Sequence, residues 1–156
     1  MNPNGNNTIL ITGGGSGIGR GLAEAFHKLG NTVIIAGRRK DVLETVVAAN
    51  PGMSFEILDV HDSAKLQSFA AEITGKYPAL NVLSNMAGIM KPEDLVDFPN
   101  ASTIDDTIAT NLTAPLQLTA ALLPHLKQQQ KATVMTVTSR TPRRKSVPVN
   151  IRIGVA

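Results

Sequence analysis

Short apolar runs rich in β-branched residues alternate along this chain with longer stretches in which apolar residues recur every three or four positions. Thr8-Ile9-Leu10-Ile11-Thr12, Thr32-Val33-Ile34-Ile35-Ala36, Phe55-Glu56-Ile57-Leu58-Asp59, Leu80-Asn81-Val82-Leu83 and Thr133-Val134-Met135-Thr136-Val137-Thr138 read as five strands. Glu56 marks the third as an exposed edge. The first intervening helix carries Ile18, Leu22, Ala25, Phe26 and Leu29 on one face and stops at Gly30. The second carries Val42, Leu43, Val46 and Val47 and breaks at Asn50-Pro51-Gly52. Ser63 is expected to cap a third, striped by Leu66, Phe69, Ala70, Ile73 and Tyr77 and ended by Pro78. A long helix from Ser102 to Gln130, striped by Ile104, Ile108, Leu112, Leu122, Leu123 and Leu126, is expected to kink near Pro115. Strand–helix alternation of this kind predicts an α/β fold with a doubly wound parallel sheet, and right-handed crossovers give the strand order 3-2-1-4-5.

At 156 residues the chain suffices for one domain, and 42% hydrophobic against 17% charged residues fits a protein with a buried core. No apolar run approaches the ~18 residues needed to cross a membrane. The polar opening Met1-Asn2-Pro3-Asn4 lacks a signal-peptide pattern, and cysteine is absent, which excludes disulfides and thiolate metal sites. The expected location is cytoplasmic, with no membrane partner. Asn6-Asn7-Thr8, Asn100-Ala101-Ser102 and Asn111-Leu112-Thr113 match the glycosylation pattern by chance. His27, His61 and His125 are dispersed without ligand spacing, so they read as surface or helix-end residues and no metal site is expected.

The net charge of +3 would suit a nucleic-acid binder, but its distribution argues otherwise. Five of the 15 basic residues (Arg140, Arg143, Arg144, Lys145, Arg152) fall in the last 17 positions, which hold no acid. The remaining ten face 12 acids. Residues 1–139 therefore read as the folded domain and 140–156 as an irregular basic tail. A solvated tail is favoured there over a nucleic-acid or nuclear-targeting segment.

Between the first strand and its helix lies Thr12-Gly13-Gly14-Gly15-Ser16-Gly17-Ile18-Gly19. Its spacing is G-x-x-x-G-x-G at Gly13, Gly17 and Gly19, not G-x-G-x-x-G. Glycines permit a sharp turn and close approach of backbone to a pyrophosphate, and the helix N-terminus offers free N–H groups and a positive dipole end. The bland alternative is a flexible turn, against which the strand–turn–helix context weighs. No Lys-Ser/Thr pair follows, which excludes a Walker-type loop. At the end of the second strand, an acid would hold the ribose 2′-hydroxyl of NAD. Ala36-Gly37-Arg38-Arg39-Lys40 stands there instead, and unless this is only a solvated basic turn, its guanidinium groups suit a 2′-phosphate. NADP(H) is thus favoured over NAD(H).

Taken together, the chain resembles the short-chain dehydrogenase/reductase family, which is Rossmann-folded. The matching segments are Thr12-Gly13-x-x-x-Gly17-Ile18-Gly19, Asp59-Val60, Asn85-Met86-Ala87-Gly88, Thr110-Asn111-Leu112 and Thr138-Ser139. The resemblance spans residues 8–139. It implies that Thr12, Gly13, Gly15, Ser16, Gly17, Ile18 and Gly19 hold the cofactor with Arg38 and Arg39. It also implies that Asp59 and Val60 contact the adenine, and that Asn85, Ala87 and Gly88 line the ribose and brace the sheet. Met86 departs from the family, which usually has a second asparagine there. Asn111 would organise a water in a catalytic tetrad, and Ser139 would hydrogen-bond the carbonyl of an alcohol/carbonyl substrate.

The rest of that tetrad is missing. The family delivers its proton from a tyrosine whose pKa is lowered by a lysine four residues later. Here the only tyrosine is Tyr77, with Asn81 four residues on. From Arg140 the sequence also leaves the family pattern, as a frameshift or a fused end would make it do. The helix that would cover the fourth and fifth strands, and form a dimer interface beside the Ser102–Gln130 helix, is absent from the pattern. The expectation is therefore a truncated oxidoreductase that binds NADP(H) without turnover and self-associates through uncovered apolar faces. The alternative is a non-catalytic dinucleotide-binding or interaction protein.

Overall fold

The computed structural model describes residues 5–90 and 101–137. Five parallel strands, β1 (Thr8–Thr12), β2 (Thr32–Gly37), β3 (Ser54–Ile57), β4 (Leu80–Asn85) and β5 (Thr133–Thr136), form one sheet in the order β3-β2-β1-β4-β5. This is the predicted order, and the fold is that of a Rossmann-type sheet. Thr138, Ser139 and the basic segment 140–156 lie outside the described residues.

The central strands are apolar on both faces because helices cover both. On one side Ile9, Ile11, Val33, Ile35 and Val82 pack against Ala23 of α1 (Gly17–Lys28) and Leu43 and Val46 of α2 (Lys40–Ala49). On the other, Leu10, Ile34 and Leu83 pack against α3 (Ser63–Lys76) and α5 (Ala114–Leu126). At the N-terminal edge of the sheet three asparagines link the strands. Asn7 Nδ2 donates to Asn31 Oδ1 at 2.8 Å, Asn81 Nδ2 donates to Asn7 Oδ1 at 3.2 Å, and Asn81 Oδ1 accepts the Thr8 N–H at 2.9 Å. Among the described residues no helix is long and apolar enough to cross a membrane.

Several local expectations are corrected. The inward residues of α1 are Gly19 and Ala23, with Leu22 and Phe26 half-buried, whereas Ile18 is 76% exposed, Leu29 64% exposed and Ala25 also exposed. At Gly19 no side chain would fit, since a Cβ there would meet the Gly13 carbonyl oxygen at 2.4 Å, while Phe26 packs at the margin of the core. The third helix is capped by Asp62 rather than Ser63: its carboxylate accepts the Lys65 N–H at 3.2 Å. The Lys65 side chain and main chain beside it hold the Asp62 carboxyl below the usual range. β3 ends at Ile57, two residues early, and it is an edge strand as Glu56 suggests. Glu56 pairs with Lys76, whose ammonium is raised above its usual range mainly by that hydrogen bond.

The long fourth helix is not one helix. α4 (Ala101–Ile108) passes into a π turn (Ala109–Thr113) before α5. Pro115 lacks an N–H and its ring crowds the carbonyl four residues back, so the ladder is relieved by one wider turn. The Ala114 N–H accordingly reaches the Ala109 carbonyl, five residues back. The predicted kink is thus a π turn just before Pro115. The predicted stripe divides as well: Leu122 and Leu126 are buried, together with Thr110, Ala114 and Leu118, while Ile104, Ile108, Leu112 and Leu123 are exposed, as is Leu116.

This division can be measured. Leu122→Ala should cost about 2–5 kcal/mol in urea unfolding, as for a buried leucine left with a cavity. Leu123→Ala, adjacent but exposed, should cost under about 1 kcal/mol. Equal costs would place the two leucines on one face and contradict the helix register.

Candidate functional site

The C-terminal ends of β1, β2 and β4 open onto a cleft of about 720 Å³. It lies where the strand order reverses beside β1, the place where open α/β sheets bind ligands. Its floor is the turn from Thr12 to Gly19. The Thr12 hydroxyl accepts the N–H groups of Met86 and Ala87, both at 3.1 Å, and so pins this turn to the chain leaving β4. Gly13 follows with φ +68°, and a Cβ there would sit 2.8 Å from Ala87 Cα. Its N–H donates to the Ala36 carbonyl at 2.8 Å, which ties the turn to β2 as well.

Gly17, at φ +56°, supplies the second left-handed residue. Gly19 is needed for space: a Cβ there would lie 2.4 Å from the Gly13 carbonyl oxygen. Gly14 is a residue that the motif did not single out. A Cβ at Gly14 would meet the Ile35 side chain at 2.6 Å, so β2 dictates that position. Only a partner from another strand reveals it.

Ser16 is the N-cap of α1, its hydroxyl makes no capping bond, and the first turn carries no acid. The first N–H bonded within the helix is that of Arg20, to the Ser16 carbonyl at 3.2 Å. The N–H groups of Gly17, Ile18 and Gly19 therefore have no helical acceptor and sit at the positive end of the helix dipole. Gly13, Gly15, Ser16, Ile18 and Gly19 line the cleft, as do Arg38 and Arg39. Arg39 also donates to Ser16 Oγ at 3.4 Å. No carboxylate lines the cleft among the described residues.

Val60, Asn85, Ala87, Gly88 and Asn111 line the cleft too. Asp59 does not: its carboxylate accepts the His61 N–H at 3.1 Å. Asn85 Nδ2 reaches the Thr119 and Thr136 hydroxyls at 3.2 and 3.4 Å, bracing β4 against α5 and β5. Asn111, within the π turn, clamps the main chain of Ile89: its Oδ1 accepts the N–H at 2.9 Å and its Nδ2 donates to the carbonyl at 2.8 Å. Met86, where the sequence departs from the family pattern, turns its side chain toward the α1–α2 layer. Ser139 lies outside the described residues. Tyr77 caps the C-terminal end of α3, outside the cleft lining, with its hydroxyl 3.4 Å from Glu56 Oε1.

The histidines are not all alike. His27 and His125 hydrogen-bond the Pro51 and Leu80 carbonyls, each at 3.1 Å, and lie outside the cleft lining. His61, read from sequence as a surface residue, is exposed but lines the cleft and bonds to Thr110. Nothing in the local pattern distinguishes it, because its partner is 49 residues away.

The sequence profile described as short chain dehydrogenase matches residues 7–150. The chain belongs to this family. It is 40% identical over 135 residues to the uncharacterized oxidoreductase DltE of Bacillus subtilis (strain 168), covering 86% of this chain and 54% of that protein. A short chain dehydrogenase of Pseudocercospora fijiensis (strain CIRAD86) is 31% identical over 137 residues, covering 85% and 44%. Among solved structures, a short-chain dehydrogenase from Streptomyces avermitilis matches with a TM-score of 0.80 at 32% identity, over 86% of this chain and 49% of that one. The oxidoreductase yciK of E. coli matches with a TM-score of 0.77 at 30% identity, over 83% and 56%. The chain thus spans about half the length of the curated relatives it matches.

Two glycines of the same segment separate space from flexibility. Gly19→Ala forces α1 away from the turn and should cost about 1–3 kcal/mol in thermal or urea unfolding. Gly21, exposed within α1 and with open space around a Cβ, should gain up to about 1 kcal/mol as Gly21→Ala through helix propensity. Similar effects from both would mean that α1 does not approach Gly13 as described.

Proposed function

We propose that this chain is the dinucleotide-holding half of an NADP(H)-dependent oxidoreductase that interconverts alcohols and carbonyls by hydride transfer. The observation that carries this reading is a helix N-terminus bare of capping side chain and acid, opening into a cleft whose charged lining is Arg38 and Arg39. The N–H groups of Gly17, Ile18 and Gly19 would meet the pyrophosphate, where oriented donors and a positive dipole favour an anion. Arg38 and Arg39 would meet the 2′-phosphate with charge-assisted hydrogen bonds. Val60 would face the adenine, with Asp59 holding the adjoining loop through the His61 N–H, and Asn85, Ala87 and Gly88 would face the ribose. A bound nicotinamide dinucleotide supplies or accepts the hydride.

Asn111 has a place in the proton relay consistent with its bonds. Its two bonds to Ile89 leave one amide hydrogen and one carbonyl lone pair, enough to hold a water. Ser139 is assigned to the substrate carbonyl by the family resemblance. The acid of the relay has no candidate in this chain, since Tyr77 is engaged with Glu56 away from the cleft. We therefore expect binding without turnover from these 156 residues. That same feature favours the second reading, a dinucleotide-binding protein that uses its cofactor to organise an interaction.

NADPH titration by calorimetry tests the binding claim, and absence of binding at millimolar cofactor would sink both readings. Arg38→Ala with Arg39→Ala should weaken NADPH by roughly tenfold or more while changing NADH by about twofold or less, because only the former carries the 2′-phosphate. An equal loss for both cofactors would remove the case for NADP(H).

The exposed Ile104, Leu116 and Leu123, beside Ile108 and Leu112 that also line the cleft, support self-association of helix against helix. Sedimentation should show concentration-dependent association that Leu116→Asp, at a position 62% exposed, diminishes without loss of the fold. A concentration-independent monomer would oppose this.

A further inference from the structure

Within the π turn the buried residue is Thr110, only 4% exposed. Its hydroxyl has two partners: Asp106 O at 2.8 Å and His61 Nε2. A hydroxyl has one hydrogen and a carbonyl can only accept, so that hydrogen goes to Asp106. The His61 ring must then donate, with its proton on Nε2. The main chain of His61 is held in turn, its N–H donating to the Asp59 carboxylate.

These bonds form a continuous path. The loop after β3 holds His61, His61 holds Thr110, and the next residue, Asn111, clamps both main-chain groups of Ile89 in the loop after β4. Val60, His61, Thr110, Asn111 and Ile89 all line the cleft. β3 and β4 are not neighbours in the sheet, since β2 and β1 lie between them. No backbone ladder joins the loops that follow them, so side chains must set their spacing. The π turn is also where regular helical bonding is interrupted, which makes its orientation sensitive to such an anchor.

We propose that His61 is a positioning residue: by donating from Nε2 to Thr110 it fixes the π turn and, through Asn111, the Ile89 loop that walls the cleft. The consequence for cofactor affinity rests on the dinucleotide reading above; the strut itself does not.

Nitrogen-15 NMR of the unliganded full chain tests the strut first. His61 should show its ring proton on Nε2, and a neutral ring with the proton on Nδ1 would overturn the assignment. His61→Leu and Thr110→Val should each speed solvent exchange of the Ile89 amide by about fivefold, the scale of one lost hydrogen bond. The double variant should be no faster than either single one. His61→Gln, which keeps a donor at the Nε2 position, should restore the slower rate. The Thr8 amide, held by Asn81 at the far edge of the sheet, should not respond, which separates a local effect from general loosening. Unchanged Ile89 exchange, additive effects or failure of His61→Gln to rescue would overturn the proposal. NADPH affinity should fall about fivefold in the first two variants and recover in His61→Gln. If the parent chain binds no dinucleotide, the cofactor reading fails while the exchange rates still decide the strut.

Discussion

Between β1 and α1 the main chain runs against main chain on two sides. A Cβ at Gly13 would meet Ala87 Cα at 2.8 Å, and one at Gly19 would meet the Gly13 carbonyl oxygen at 2.4 Å. Side chains are excluded from both contacts, so the turn packs main chain to main chain against α1 and against the loop after β4. The Thr12 hydroxyl completes this contact by taking two N–H groups of the opposing loop. With α1 drawn this close, its fully buried residues are Gly19 and Ala23, Phe26 packs at the margin of the core, and Ile18 and Leu29 turn outward. The bare end of α1 arrives at the mouth of the cleft for the same reason. Cleft, helix placement and anion-attracting end thus follow from one close approach of glycine backbone.

The second organising feature is the wide turn that Pro115 forces into the fourth helix. Around it the buried residues, spaced by four, run from Thr110 in the π turn to Leu126 in α5, and an exposed set with the same spacing runs from Ile104 to Leu116. The wide turn also points Asn111 toward the loop after β4, where the amide takes both main-chain groups of Ile89. The same proline therefore shapes both an exposed apolar surface and one wall of the cleft.

Charge in the cleft is one-sided. Arg38 and Arg39 stand at the end of β2 without a lining carboxylate among the described residues, and Arg39 reaches Ser16 beside the helix end. Anion binding requires only this preorganised set of donors. Proton transfer requires an acid as well, and the tyrosine that the chain possesses is spent on Glu56 at the far end of α3. Membership of the short chain dehydrogenase family accounts for the first arrangement and does not by itself supply the second.

Much of this was legible in the sequence because it depends on local rules. Five β-branched runs spaced by helical patterns determined a parallel sheet and its strand order, which chain handedness then left little freedom to vary. The glycine spacing at Gly13, Gly17 and Gly19 determined a sharp turn with left-handed residues. What the tertiary structure alone decided are the contacts between residues distant along the chain. It decided that Gly14 is dictated by Ile35, that α1 buries Ala23 instead of Ile18 and Leu29, and that Asp59 faces its own loop rather than the cleft. It also brought His61 to Thr110. Periodicity reports which residues share a face of an isolated element. It cannot report how near that element lies to its neighbour, and here that nearness selects which residues are buried and which reach the cleft.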